Sequence, residues 1–454
     1  MARGMIPEEH KWRYFFHMTD IDNLESILEH GLLCTNEKNR LGIKHTNIAN
    51  NAIQERRAEM RVPCGHGGVV HDYVPFYWTS VNPMLLGQIN AKNCDQPRII
   101  FLCFKIDKLI SLDSVFTDAA ANSNQAPNFY DDASQLAELS WDLIDKQKWG
   151  KSSDEDRHRK MAEVLVYNKV DSVNIDSIVV FNEYFYEQVK DILQKTGSSI
   201  DVRYSLKSGG RYYNFYYTKF TFHDESRRRE SLVLGPKFLQ ESYMNMMATV
   251  KNAKAKKDKA PCPYQSISDL LNAIRISFSA IKELQGIWQL ETSNTMHHKT
   301  VSDHTLEVVD LLKQLNYYQQ ADEHKKELLE LAAYLHDIGK GPKEKWKDGI
   351  QLPFPDHPFD AISMLERIFV KEVENVPEED VRITGLLVAY HDIIGESISG
   401  NRNIEALKPI LKSEEDFDML ACLSEADIKS IDNGWWINFM ISIDNIRAKL
   451  FPHE

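Results

Sequence analysis

The sequence predicts an α+β N-terminal half followed by an all-α C-terminal half. Three observations carry this. Early in the chain the apolar residues gather in strand-sized runs: Arg98 to Phe104, Glu163 to Tyr167, Ser177 to Phe181 and Tyr212 to Phe222. Later, nearly every apolar stretch repeats with a helical period. Between them lies Val250 to Pro261, rich in Lys and Ala and closed by Pro-Cys-Pro, which reads as a linker or an exposed helix end. A chain of 454 residues has room for two or three domains. The boundaries fall at 1–205, 206–265 (an extension and basic linker) and 266–454.

Composition narrows the function classes. The formal charge is −13, and it is unevenly spread. Residues 1–200 hold 22 basic and 28 acidic side chains, 201–300 hold 16 and 9, and 301–454 hold 16 and 30. A general nucleic-acid coat is excluded, while a local basic zone remains in the middle. The acidic, His-containing last third suits metal ions. No apolar run reaches the ~18 residues of a membrane span, so no membrane partner is expected. Six Cys without a CxxC and a polar N-terminus point to a reducing cytoplasm.

In chain order, Phe16 to Leu24 (FHMTDIDNL) runs from a strand-like start into a helix over Leu24 to Glu29. Asp20, Asp22 or Asn23 can cap that helix. Capping does not account for His17 and Thr19, which share one strand face. Next come Gln54-Glu55-Arg56-Arg57 and the Gly-rich turn Gly65 to Gly68. Neighbouring helical arginines cannot both point into one site. Glu163 then opens an apolar strand, and a second helix covers Tyr184 to Gln194. Arg211 to Lys219 interleaves aromatic and basic residues, and Arg227-Arg228-Arg229 follows. Such a run suits single strands, or a strand with an aromatic core face.

The helical half repeats one pattern. Leu328, Leu331, Ala332 and Leu335 form a stripe that ends in His336-Asp337-Ile338-Gly339-Lys340. Asp427 shares a face with Leu420 and Leu423, His391 with Leu387 and Val388. His304 lies on a face with Val308 and Leu311, and His357 with Ala361 and Met364. A buried carboxylate is costly unless paired or metal-bound. One such histidine is ordinarily a hydrogen-bonded core residue. Six such residues in one helical domain favour Mn, Fe, Zn, Ni or Mg, and a two-metal site suits phosphate-ester hydrolysis.

These motifs resemble two families. His304, the string 335–340, Asp356-His357-Pro358, His391-Asp392 and Ala426-Asp427 resemble the HD-domain phosphohydrolases over residues 268–450. The resemblance implies metal ligands at His304, His336, Asp337 and Asp427. It adds His357 and His391 for a binuclear branch, and places Lys340 on a substrate phosphate. That branch often carries a second His where this chain has Asp392, which bears on the second of one or two divalent metals. The strings FHMTDIDNLESILEHGLL (16–33), IQERRAEMRVP (53–63), GGVVHDYVPFYW (67–78), VFTD (115–118) and KMAEVLVY (160–167) resemble the DarT family of DNA ADP-ribosyltransferase toxins.

The second resemblance covers residues 12–195 and implies an α+β ADP-ribosyltransferase fold, two packed small sheets around an NAD cleft, ahead of the all-α HD domain. It implies Glu163 and Arg57 as catalytic residues. His17, Met18, Thr19 and Asn23 would bind NAD, the co-substrate. Asp118 to Arg157 matches the loop that reads the target. The expected reaction is transfer of ADP-ribose to a base, typically thymine, in single-stranded DNA, as in a toxin or phage-defence system. Restraint is expected from a macrodomain-type antitoxin or, in cis, from the HD domain. The alternatives are a nucleotide phosphohydrolase with an N-terminal NAD or nucleic-acid sensor, or modification of RNA or protein.

Overall fold

The computed structural model describes residues 4–452 apart from 49–50, 123–125, 148–151, 214, 216–218, 223–228, 232–233, 257–259, 294–298 and 354–355. The chain divides into two compact units, Met1–Tyr217 and Thr218–Glu454. The boundary falls inside the segment read from sequence as an extension and linker. Leu206–Ser208 and Arg211–Tyr213 pair as a hairpin in the first unit, whereas the helix Pro236–Lys254 belongs to the second. No helix of the described residues is long and apolar enough to cross a membrane.

The first unit is built on eight strands: β1 (Tyr14–Asp20), β2 (Tyr73–Tyr77), β3 (Ile99–Lys105), β4 (Ser114–Thr117), β5 (Phe129–Tyr130), β6 (Glu163–Tyr167), β7 (Ser177–Val179) and β8 (Asp201–Arg203). Their order is β8-β7-β3-β1-β2-β6-β4-β5. β1 and β3 pair along their whole length, from Tyr14↔Lys105 to Asp20↔Ile99. β1 and β2 share one pair alone, Phe16↔Tyr77. The expected two small sheets are therefore two halves of a single sheet, hinged at that pair. Past the hinge β1 and β2 diverge, and the gap between them is a cleft.

Aromatic packing fixes the hinge. Phe15, Phe76 and Phe104 are fully buried, with ring centroids 5.2, 5.6 and 4.9 Å apart. β3 buries six successive residues, Ile99 to Phe104, because both faces are covered. Two helices matter for the site: α1 (Asn51–Glu59), which carries Arg57, and α2 (Asp154–Lys160), which leads into β6. Ser153 caps α2 by accepting from Asp156 N–H.

The second unit is helical: α3 (Pro236–Lys254), α4 (Val301–Leu312), α5 (Glu323–Leu335), α6 (His357–Lys371), α7 (Glu378–Tyr390), α8 (Glu414–Ile431) and α9 (Asn433–Leu450), with shorter turns between. One core runs from Leu239 on α3 to Leu450 on α9. Gly385 sits where α3 crosses α7: a Cβ there would lie 2.7 Å from Met246 Cε and 3.0 Å from Tyr243 Cε2. The periodicity over Leu270 to Leu284 predicts one helix. The structure has two, Ile267–Ile276 and Lys282–Ile287. Ser277 and Ser279 offer local side-chain partners that compete with the helix. The break also lets Phe278 reach the rings of Trp288 and Tyr334, 5.5 and 6.3 Å away.

Candidate active site and metal centre

The cleft beside the hinge has a volume of about 530 Å³. His17, Met18 and Thr19 of β1 line it, with Asn23, Arg57, Pro75 and Tyr77. The His17 Nδ1 lies 2.9 Å from the Pro75 carbonyl. A carbonyl only accepts, so Nδ1 carries the hydrogen and Nε2 is left as an acceptor. Burial lowers the His17 pKa to about 4, so the ring is neutral near pH 7.

Asn23 precedes the helix Leu24–His30 but makes no side-chain capping bond, whereas Asp20 caps the turn Ile21–Asn23 before it, accepting from Asp22 N–H at 3.0 Å. The Asn23 amide instead donates to Thr19 Oγ1 (2.8 Å) and the Thr46 carbonyl (2.9 Å), and accepts from Thr46 N–H (2.8 Å). It ties the Thr46 loop to β1, so the cleft rim depends on it. Lys38 and His45 on the same rim approach to 3.3 Å, and burial lowers both pKa values, His45 to about 4.

β2 and β6 pair so that Tyr77 faces Glu163. Glu163 is 0% exposed. Arg57 reaches it with both guanidinium nitrogens, Nη1 to Oε1 and Nη2 to Oε2, each 2.9 Å. Ala121 N–H adds a 2.9 Å bond to Oε1. Burial works against the Arg57 charge and Glu163 more than offsets it, so its pKa is raised. Burial, then the Glu163 carboxylate, push the Tyr77 phenol well up. Arg57 and Tyr77 face the cleft, and Glu163 lies behind them. Of the paired arginines the structure turns Arg57 inward, while Arg56 is exposed.

The segment Asp118 to Arg157 is anchored at both ends. Asn128 bonds Asp118 through backbone and side chain at 2.9 and 2.7 Å. Ala120 N–H donates to the His158 carbonyl. Lys160 is the least expected anchor. It is 1% exposed, and its ammonium donates to the carbonyls of Leu143 (3.5 Å), Ile144 (2.8 Å) and Lys146 (2.8 Å). Burial lowers its pKa to about 8. A second cleft of about 700 Å³ runs along α2, lined by Arg157, His158 and Met161. Ile53, Met84 and Asn122 line both clefts.

The aromatic–basic run is largely packing. Tyr213 contacts Phe16 at 5.5 Å, and Phe215 contacts Phe16 and Phe101 at 5.6 and 5.0 Å. Tyr212 is exposed beneath the Lys207 ammonium, 4.8 Å away. Arg227 and Arg228 lie outside the described residues.

In the second unit the structure brings His304, His336, Asp337, His357, His391 and Asp427 into one buried cluster. Asp337 is its centre. Its Oδ2 lies 3.5 and 3.4 Å from His304 and His336 Nε2, and its Oδ1 lies 3.5 and 3.9 Å from His357 and His391 Nε2. Asp427 Oδ1 is 3.0 Å from His304 Nε2. The outer nitrogens are pinned: His336 Nδ1 to the Ala333 carbonyl (2.7 Å) and His391 Nδ1 to the Val388 carbonyl (2.8 Å). Ser430 donates to the Asp427 carbonyl at 2.7 Å, so its oxygen accepts from His304 Nδ1, 3.0 Å away. Three imidazoles thus turn Nε2 inward, as metal-binding histidines do.

Packing sets these positions. Gly339 allows the turn after α5 to meet the start of α6, since a Cβ there would lie 1.9 Å from the His357 carbonyl oxygen. Arg382 on α7 holds Asp416 on α8 through both nitrogens, at 2.9 and 2.7 Å. Ser424 donates to the His391 carbonyl at 2.7 Å. Lys340 Nζ lies 2.6 Å from Asp337 Oδ2. Burial opposes ionisation of Asp337, but Lys340 and His336 outweigh it and hold the carboxyl well below its usual range. Burial pulls His357 down to about 3; against burial, Asp392 lifts His391 to about 9. Asp392 was singled out from sequence only as a mismatch; it stands beside both rings, 3.4 Å from His357 Nε2 and 3.2 Å from His391 Nε2.

Known proteins match both units. Residues 16–217 match the model of the ssDNA thymidine ADP-ribosyltransferase family, DarT, and residues 301–391 match the HD domain. The chain is similar to a DNA ADP-ribosyl transferase of Thermus sp. (strain 2.9), 36% identical over 186 residues, covering 40% of this chain and 87% of the relative. A DNA ADP-ribosyl transferase of Thermus aquaticus is 32% identical over 183 residues, covering 39% and 79%. The solved structure of Thermus sp. 2.9 DarT in complex with ADP-ribosylated ssDNA aligns with a TM-score of 0.40 and 33% identity, over 45% of this chain and 97% of that one. Through residues 16–217 the chain belongs to the DarT family, and an HD domain follows in the same polypeptide.

Proposed function

We propose that the first unit transfers ADP-ribose from NAD to a thymine base in single-stranded DNA, as a toxin or phage-defence enzyme, and that the second is a metal-dependent phosphohydrolase. The observation that carries the first part is the bidentate Arg57–Glu163 pair at the wall of a cleft floored by His17, Met18 and Thr19. In the reaction the bond between nicotinamide and ribose C1′ breaks and its electron pair leaves with nicotinamide. A base nitrogen bonds to C1′ and gives up its proton to solvent water. The ribose gains oxocarbenium character, as in glycoside transfer.

Glu163 supplies the negative charge that stabilises that cation. Its Oε1 accepts from Arg57 and Ala121, whereas Oε2 accepts from Arg57 alone among the described residues. A carboxylate oxygen takes two donors, so Oε2 keeps a place for a ribose hydroxyl. The hydroxyl reaches it when NAD turns the Arg57 side chain aside. Arg57 then serves as an electrostatic group for phosphate or base, not as a proton acceptor, because a guanidinium keeps its proton at its ordinary pKa. His17 Nε2 and Thr19 are the polar groups of β1 that meet NAD, beside Met18; Asn23 holds the rim.

In the helical unit, the buried Asp337 Oδ1 has no hydrogen-bond partner, and imidazole and carboxylate atoms converge on it. These residues fit a divalent cation. His304, His336, Asp337 and Asp427 would hold it, with His357 and His391 on the far side of Asp337. When bound, such a cation supplies a Lewis acid and an activated water for phosphoester hydrolysis. Lys340 offsets the Asp337 charge and is the cation placed to meet a substrate phosphate.

Purified protein with labelled NAD and four pools, single-stranded DNA, duplex DNA, RNA and protein extract, tests the transferase. Label on single-stranded DNA that vanishes with Glu163→Gln supports it. Label on another pool alone, or intact NAD throughout, overturns it. Cells expressing Asp337→Ala test the restraint: heightened toxicity supports restraint in cis, and unchanged toxicity counts against it.

A further inference from the structure

We propose that the helical unit holds two divalent cations, and that Asp392 is the terminal ligand of the second. The proposal rests on the metal-dependent reading of this unit and deepens it. The argument is the shape of the donor set. A tetrahedral ion at about 2.0–2.2 Å from N and O ligands places its donors roughly 3.3–3.6 Å apart.

Around Asp337 Oδ2, the atoms His304 Nε2, His336 Nε2 and Asp427 Oδ1 give separations of 3.3, 3.5, 3.4, 3.0 and 3.8 Å. Around Asp337 Oδ1, His357 Nε2 and His391 Nε2 give separations of 3.4, 3.5 and 3.9 Å, and Asp392 meets the two rings with one oxygen each, Oδ2 3.4 Å from His357 Nε2 and Oδ1 3.2 Å from His391 Nε2. Each oxygen of the Asp337 carboxylate thus belongs to its own group of donors, with His304 and His336 on one side and His357 and His391 on the other, and Asp392 joins His391 and Asp427 in a third group. Without Asp392 the group around Asp337 Oδ1 has three donors.

Two further observations point the same way. Among the described residues Asp337 Oδ1 is buried without a hydrogen bond, a costly state unless something else binds it. Asp392 stands at the N-cap of the helix Ile393–Ile398, yet its side chain makes no capping bond. Its carboxylate is turned to the two histidines instead.

An aspartate in place of a histidine alters what the second position prefers. Oxygen ligands favour Mn²⁺ and Mg²⁺, while imidazole favours Zn²⁺. It also alters the charge. The carboxylates of Asp337, Asp392 and Asp427 against two divalent cations leave one net positive charge, next to Lys340. That combination fits an anionic phosphoester. Asp392 is 25% exposed, whereas Asp337 is 1%, so the second position is the one open to substrate.

Titration of the full chain with Mn²⁺, followed by equilibrium dialysis and electron paramagnetic resonance, tests this. The expected result is two Mn²⁺ per chain with a spin-coupled signal. Asp392→Ala should bind one, with the six-line signal of an isolated ion, and Asp392→Asn does the same if the alanine variant fails to fold. Asp392→His should again bind two ions and shift the second towards Zn²⁺. One Mn²⁺ in the parent chain, or two coupled Mn²⁺ in Asp392→Ala, overturns the proposal and leaves the metal reading standing. No bound metal in either overturns both.

Discussion

Arg57 on α1 and Glu163 on β6 are joined by two parallel 2.9 Å hydrogen bonds, with Glu163 fully buried and Arg57 nearly so. The pair is a structural joint as well as the proposed catalytic wall. Removing one partner strands the other charge, at a cost of about 3–5 kcal/mol. Arg57→Ala should therefore lower the unfolding midpoint of the first unit by that order, and Arg57→Ala/Glu163→Gln by less. Glu163→Gln strands the Arg57 charge in the same way, so it too should destabilise the unit, and it should lose about 10²–10³ in transfer rate beyond what Arg57→Lys loses at equal stability. Denaturation and a labelled-NAD assay check these. Equal destabilisation of the single and double variants would show that the pair does not couple.

His17 gives a pH signature. Its folded pKa is about 4, against an ordinary 6.5. Between those values the unfolded chain binds a proton that the folded chain refuses. Stability is thus full above about pH 6.5 and falls as pH drops towards 4. His45 adds a slope of the same sign. His17→Gln should flatten part of the decline in melting temperature from pH 7 to 5, and weaken NAD binding at pH 7.5. An unchanged slope would contradict the burial of this imidazole.

Lys160 tests the target loop. Its three carbonyl bonds tie the segment after Trp141 to the residues that lead into β6. Lys160→Met should raise the KM for an oligonucleotide about tenfold or more, the loss of a buried charged bond of roughly 1.5–3 kcal/mol. NAD binding should stay within twofold, and Lys160→Arg should restore part of the loss. Parallel changes in both constants would mark the lysine as general scaffolding.

Gly339 is the tightest approach near the metal centre. A methyl group there meets the His357 carbonyl oxygen. Gly339→Ala should cost about 1–3 kcal/mol by overpacking and push His357 away from Asp337. The expected readout is a lower melting temperature with one Mn²⁺ bound per chain. Retention of two would show that the turn yields without disturbing α6.

Much of this was legible in sequence, for different reasons in the two units. Period 3.6 marks α4 to α8 because each buries a full apolar stripe. Histidines and aspartates on those stripes are conspicuous, since water-loving groups seldom sit there. Glu163 and Arg57 came from family resemblance; local pattern alone offers an edge-strand glutamate and two surface arginines. Lys160 was illegible, because its partners are carbonyls 14 to 17 residues away that gather only on folding. The tie from Asn23 to Thr46 was hidden for the same reason, since its partner is 23 residues away, and only the capping role offered for Asn23 fails. Asp392 was visible but counted as a defect, since only the cluster in three dimensions shows a carboxylate filling an imidazole's place.

Ile53, Met84 and Asn122 stand between the two clefts of the first unit as a common wall. In the proposed reaction, NAD in the first cleft and a base in the second would meet across these three side chains. On that reading the three uncharged side chains would share in setting how often an activated sugar is captured by a base rather than lost to water, and trimming them would change that ratio without removing a charged group from either cleft.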